Sequence, residues 1–419
     1  MSHHQESMRH KSNHPFLHES HNSYPHTQTP HGVYQDHQTI NITDLPMESS
    51  IPPQTSLSSR AFNSGSNFID FEIPRGSINI LKSVTLCMEI VNPDLTNKLM
   101  LPVSYNLIDR IEIYFGSTLV ETVLSEGLYI NHCTNRSEAQ LEILANSTCV
   151  DPNSFDNHSL YSMVDANGTE TKELYVRLYS LLTTSNLFLP GIVEDIRLRV
   201  HFCAYSKWKM PSITAVYTAP TETPVLQKVE LRVQHVVLNQ SNYNKLQTLY
   251  RNNQINIKYL DHRFQSYSVN AQANVSINHV LSSINGLISH MYILMRNQNP
   301  TGTSITDYQK INRYYIADSS GSSITNGIQY SDEYARGPYC SDHFEHSKFF
   351  SVKRVYPICF SNDVFTSINT ANNMGSRMFS SMEQLYFTPG STGSYELLIL
   401  CYAHSIMHIK NGQISISRS

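Results

Sequence analysis

The stretch ELYVRLYSLLTTSNLFLPGIVEDIRLRVHF, Glu173 to Phe202, holds two alternating segments around an apolar link. Leu174, Val176 and Leu178 precede the link, and Ile196, Leu198, Val200 and Phe202 follow it, with polar or charged residues in between. Successive side chains of a strand point to opposite faces, so this period of two predicts half-buried antiparallel strands. The same period recurs upstream. In VTLCMEIV, Val84, Leu86, Met88 and Ile90 share one face while Thr85, Cys87 and Glu89 share the other. In RIEIYFGSTLVETV, Ile111, Ile113 and Phe115 alternate with Arg110, Glu112 and Tyr114 up to a Gly-Ser turn at Gly116.

The 419 residues, of which 40% are hydrophobic, suffice for two domains or one large all-β domain. Net charge is −4 and only 15% of residues are charged, which argues against a duplex-binding protein, since that needs clustered Lys and Arg to displace counterions. The seven cysteines are odd in number, scattered and without a CxxC pair, so they read as reduced core residues rather than a disulfide framework or a zinc ribbon. No apolar h-region opens the chain, and apolar runs such as Glu396 to Tyr402 are too short to span a bilayer. Folding in cytosol or nucleus, without secretion, is the expectation.

Composition divides the chain. Residues 1–58 carry nine of the 20 histidines, mixed with Ser, Gln, Asn and Pro, and read as a disordered His-rich N-terminal arm that cannot bury enough apolar surface to offset its ordering entropy. A first strand-rich block fills 59–215. The prolines of MPSITAVYTAPTETP (Pro211, Pro220, Pro224) mark a linker at 216–225, because proline gives a sheet no ladder donor. A second strand-rich block fills 226–419 and includes YELLILCYAHSIMHIKNGQISIS, whose near-continuous apolar run suits a strand covered on both faces. Short helices are expected at Glu138–Asn146 and Asn242–Asn252. Two consecutive β-blocks of similar length, each with a short helix, read as a duplicated sandwich.

Four passages in this order resemble the double jelly-roll major capsid proteins of double-stranded DNA viruses, the lineage of large eukaryotic DNA viruses, virophages and polinton-like viruses. They are the strand, Leu189-Pro190-Gly191 step and strand of the opening stretch; VELRVQHVVLNQSNYNKLQTLY from Val229; INHVLSSINGLISHMYILMRN; and the closing LILCYAHSIMHIKNGQISIS. The resemblance spans roughly Asn67 to Ser417. The passage NNMGSRMFSSMEQL only echoes the form usual in the large-virus branch, and the His-rich arm is not part of the resemblance. The resemblance implies an all-β fold of two tandem eight-stranded jelly-roll sandwiches, with three copies forming a pseudo-hexagonal capsomer of an icosahedral shell. It also implies residence in the virion, with assembly in host cytoplasm or nucleus. Self-association is the implied partnership, followed by contacts with minor capsid and penton proteins.

Candidate functional residues are few. Two long loops are expected, Val150–Lys172 and Met295–Lys348. The second holds Tyr308, Tyr314, Tyr315, Tyr330, Tyr334 and Tyr339, read as trimer-interface residues because Tyr offers large, stiff contact area at low entropic cost. In the arm, His3, His4, His10, His14, His18, His21, His26, His31 and His37 form a pH-sensitive set. Their protonation would carry the segment from −3 to +6 as pH passes the ordinary imidazole value of about 6.5. That arm is expected to reach an inner membrane, minor capsid proteins or the genome, without sequence-specific nucleic-acid binding. The cluster CSDHFEH (Cys340, Asp342, His343, Glu345, His346) matches no zinc-finger or HExxH spacing and reads as a polar loop. Cupin, GxSxG, Walker A and GxGxxG signatures are absent, so no catalytic residue, cofactor or metal is assigned. A non-catalytic jelly-roll binding module, lectin-like, receptor-binding or minor capsid in character, is the rival reading.

Overall fold

The alternation of Glu173–Phe202 is realised as strands whose apolar faces meet. The computed structural model describes residues 33–34, 45–54, 60–61, 67–91, 98–99, 102–148, 150, 171–204, 209–210, 225–298, 308–325, 329–344, 348–360 and 376–418. Eight strands build the first sandwich: β1 (Leu45–Ile51), β2 (Asn67–Ile73), β3 (Ile80–Val91), β4 (Ile108–Phe115), β5 (Thr118–Leu124), β6 (Thr171–Leu178), β7 (Ile196–Phe202) and β8 (Val225–Val237). They pair as β1-β8-β3-β6 in one sheet and β2-β7-β4-β5 in the other, antiparallel throughout. Helices α1 (Ser125–Thr134) and α2 (Glu138–Thr148) follow β5.

Helix α3 (Gln240–Asn252) leads into the second sandwich, its N-terminus capped by the Asn239 side chain, which accepts from the Asn242 N–H at 2.9 Å. Strands β9 (Gln254–Ala271), β10 (Ile277–Val280), β11 (Asn285–Asn297), β12 (Ile311–Ala317), β13 (Tyr330–Ser331), β14 (Tyr356–Cys359), β15 (Gln384–Pro389) and β16 (Gly393–Lys410) follow. Helices α4 (Asp332–Arg336), α5 (Pro338–His343) and α6 (Lys348–Val352) lie between β13 and β14. The sheets are β9-β16-β11-β14 and β10-β15-β12-β13. Each order is that of the first sandwich with eight added to every label, so the chain is two tandem eight-stranded jelly rolls. Short extra strands decorate this plan: Val33–Tyr34 runs parallel to β9, Arg377–Ser380 pairs with β11, and Gln413–Arg418 folds back on β16.

On β7, Ile196, Leu198, Val200 and Phe202 are buried, while Arg199 on the other face grips the Asp70 carboxylate of β2 at 2.7 and 2.9 Å. His201 meets Glu112 of β4 at 2.9 Å. Burial alone would raise the Glu112 carboxyl, but hydrogen bonds from Arg110, Tyr114 and His201 hold it at about 2.

Three expectations about organisation need correction. Leu45–Ile51 is a strand, although it falls inside the segment read as a disordered arm. It sits at a sheet edge, where Pro46 is tolerated, and of its central residues most are exposed, so no period-two signal marks it. Residues 226–237 belong to the first sandwich, where β8 pairs with β1 and β3, so the second sandwich begins after α3 rather than at 226. Prolines that read as a domain break precede the last strand of the first sandwich. Finally, Met295–Lys348 is largely structured, carrying β12, β13, α4 and α5. The histidines of the arm from His3 to His37 lie outside the described residues, as do residues 216–224 of the expected linker 216–225 and most of the first expected loop.

Candidate functional site

The sheet β9-β16-β11 is covered on both faces. Along β16, Leu397, Ile399, Cys401 and Ala403 join the core of the second sandwich, while Leu398, Leu400 and Tyr402 join a larger core continuous with the first. β11 divides likewise, with Met291, Ile293 and Met295 inward and Tyr292 and Leu294 outward. Strand β5 and helix α1 of the first sandwich supply the second cover. This junction between sandwiches gathers buried polar and aromatic side chains from both.

At its centre Tyr402 is fully buried, with His290 stacked on it at 4.3 Å, His262 edge-on at 4.7 Å, and its O–H donating to Asn131 Oδ1 of α1 at 3.2 Å. His262 Nδ1 lies 2.6 Å from Glu121 Oε1 of β5, and the other Glu121 oxygen accepts from the Leu181 N–H at 2.9 Å. Burial pushes the Glu121 carboxyl above its ordinary range, and the His262 and Leu181 hydrogen bonds pull the other way. Burial depresses His290 to about 3, with His262 and His404 adding repulsion. His404, depressed to about 4 by burial and then by Lys258, lies 2.9 Å from Ser376 Oγ. At the rim Arg296 of β11 bridges Glu126 of α1 at 2.5 Å and Glu396 of β16 at 2.9 Å. Its burial disfavours the charge, yet the two carboxylates hold its pKa above the ordinary value. Gly127 of α1 faces the Tyr402 hydroxyl, and a methyl there would meet it at ordinary van der Waals distance, 3.6 Å.

A second contact unites two of the sequence passages. Leu189–Gly191 form a 3-10 turn against Tyr250 of α3, whose hydroxyl accepts from the Phe188 N–H at 3.1 Å and whose ring meets Phe188 edge-on at 5.3 Å. The turn between β16 and Gln413–Arg418 holds Asn411 and Gly412 at positive φ, 53° and 78°, and Gly412 O accepts from the Val193 N–H at 2.9 Å. A methyl on Gly191 would overlap the Tyr250 ring, and one on Gly412 would fall 2.5 Å from Val193 Cγ2. Gly191→Ala is therefore expected to cost about 1–3 kcal/mol in urea unfolding through overpacking. Gly76→Ala, where a methyl meets nothing within 4 Å, should be near neutral.

The tyrosines read as interface residues divide. Tyr308 lies in the core shared by the two sandwiches, and Tyr314, Tyr330 and Tyr339 lie in that of the second; all four are buried within this one chain, at 6% exposure or less. Their rings are consumed by intrachain packing, with Tyr314 O–H donating to Pro357 O at 2.8 Å and Tyr339 Oη accepting from the Cys359 N–H at 2.7 Å. This corrects their reading as contacts to another chain. Tyr315 is half-buried and stacked on Tyr386 at 4.9 Å, and Tyr334 is 41% exposed. Glu121, His262, His290, Tyr402 and Arg296 were not singled out from sequence. The sole hint is an acidic residue in the apolar register of TLVETVL.

In the CSDHFEH cluster, Cys340 is buried, His343 stacks on Tyr339 at 4.3 Å with Nδ1 3.0 Å from Tyr339 O, and Glu345 and His346 lie outside the described residues. No group of three His, Cys, Asp or Glu side chains is placed to hold a metal ion among the described residues. The six described cysteines are free thiols, five of them buried, and burial pushes Cys359 up to about 12, away from thiolate chemistry.

No protein-family model and no curated protein matches the chain. Solved structures do. The VP54 protein of PBCV-1, fitted into a reconstruction of the virophage Sputnik, superposes with a TM-score of 0.64 at 10% identity, covering 91% of this chain and 98% of that one. The Faustovirus major capsid protein gives 0.62 at 9% identity, over 90% and 92% of the two chains. The Sputnik virophage structure gives 0.58 at 10% identity, over 92% and 91%. At such identities the likeness establishes fold: the chain is a double jelly roll of the kind seen in viral major capsid proteins, matched over nearly the full length of each.

Proposed function

We propose that this protein is the major capsid protein of an icosahedral DNA virus, working as a structural and non-catalytic homotrimer whose six sandwiches form a pseudo-hexagonal capsomer. One observation carries the reading: two sandwiches of identical strand order meet within one chain through a buried, hydrogen-bonded face. Two similar units per chain and three chains give six positions, so a threefold molecule fits a site of local sixfold packing. The full-length likeness to a chain of the PBCV-1 virus capsid and to the Faustovirus major capsid protein supports the same conclusion. The virion is then its residence, and further copies of itself its first partners. Minor capsid proteins, an inner membrane or the genome are proposed as contacts of the N-terminal arm. Tyr315 and Tyr334 remain as surface tyrosines able to meet a neighbour.

Sedimentation or native mass measurement of the purified chain tests this. A stable species of three times 47.7 kDa is expected at micromolar concentration. A monomer at every concentration would count against a capsomer role and favour the binding-module rival.

A further inference from the structure

We propose that the outward face of sheet β1-β8-β3-β6, on the first sandwich, is the seat for the second sandwich of a neighbouring copy, which docks through β13 and α4. The inference rests on the trimer reading above and assigns its contact surface.

The chain already displays one such contact within itself. The outward face of β9-β16-β11 is capped by β5 and α1 of the other sandwich, through Glu121 to His262 and Glu126 to Arg296. In the duplicated topology, β1-β8-β3 is the counterpart of β9-β16-β11, and β13 with α4 is the counterpart of β5 with α1. A head-to-tail contact repeated from unit to unit closes into a ring when its rotation divides the circle. Six sandwiches close such a ring if the junction within each chain is repeated between chains. The donor surface for that repeat is β13-α4, and the acceptor is the outward face of β1-β8-β3-β6.

Opposite charges accompany this correspondence but fall on other strands, since Arg296 lies on β11, the counterpart of β3, and the arginines of the acceptor face lie on β6 and β8. Glu126 is the second residue of α1, directly after β5, and Glu333 is the second residue of α4, directly after β13. Glu126 meets an arginine in the intrachain junction, whereas Glu333 is exposed beside the exposed Tyr334. The acceptor face offers arginines: Arg177 on β6 is exposed, and Arg232 on β8 has a side chain 51% exposed. Arg232 is held in place over the Tyr175 ring at 5.3 Å and by Glu230 at 3.0 Å. Glu230 also accepts from Ser50 of β1 at 3.0 Å, and Gln234 donates to Glu48 at 2.9 Å, so the face is a cross-strand polar lattice. The two acceptor faces differ as their circumstances require. The intrachain one is buried as the chain folds and can be lined by Tyr292, Tyr402, Leu398 and Leu400. The other must keep a free subunit soluble, which suits paired charges and an aromatic ring.

A charge exchange tests the assignment. Arg232→Glu and Glu333→Arg should each raise the trimer dissociation constant by about tenfold or more, with the urea midpoint of the monomer shifted only slightly because the Arg232–Glu230 pair is exposed at the surface, while the double variant recovers most of the loss. Single variants whose trimers dissociate as the parent does, or a double variant weaker than either single, would overturn the assignment while leaving the capsomer reading intact. A parent chain that is monomeric throughout would instead overturn the capsomer reading and this inference with it.

Discussion

Acidification from about pH 7 to about pH 4.5 is expected to lower the stability of the folded chain by on the order of several kcal/mol, through the histidines of the sandwich junction. His290 is fully buried against Tyr402, with His262 of β9, His404 of β16 and the Tyr292 ring of β11 around it. It stays neutral in the folded state down to about 3, and His404 down to about 4. The unfolded chain protonates both near the ordinary value of about 6.5, so between these values it binds more protons than the folded one. Stability is therefore fully present above about pH 6.5 and falls as pH drops through the window toward 3. Urea midpoints at the two pH values measure the effect. His290→Phe keeps an aromatic ring on Tyr402 and removes the titration, so it should fold at neutral pH with a shallower acid dependence. Equal midpoints at both pH values in the parent chain would contradict this account.

Glu121→Ala is expected to cost about 3–5 kcal/mol, the scale for removing one partner of a buried, hydrogen-bonded pair. The truncation removes the acceptor of both His262 Nδ1 and the Leu181 N–H at a fully buried position. Glu121→Gln retains the volume and an acceptor oxygen, so it should recover more than half of the loss. Chemical unfolding reads both variants, and because the pair lies between sandwiches, limited proteolysis should reveal earlier separation of the two in the alanine variant. A Glu121→Ala chain as stable as its parent would show that the pair does not fasten the junction.

Much of the fold was legible because period two survives wherever a sheet has one dry face. β3, β4, β6 and β7 keep their apolar sets buried where the alternation puts them. The continuous apolar run of β16 was legible too, as a strand covered twice, although no sequence signal says that the second cover is the other sandwich. β1 was hidden because an edge strand with mostly exposed residues has no apolar period. The place of β8 was hidden because prolines in a connection look alike whether they separate domains or precede a returning strand. The tyrosines misled for a physical reason: a ring whose hydroxyl finds a backbone partner, as Tyr314 and Tyr339 do, is as well suited to a core as to an interface. Glu121 and His262 are 141 positions apart, and only the docking of two folded units brings them together.

Electron microscopy of the purified full-length chain tests the central claim most directly. Two tandem sandwiches acting as one third of a capsomer should give class averages with a hexagonal outline and threefold symmetry. Two-lobed single chains, or assemblies of any other symmetry, would contradict it.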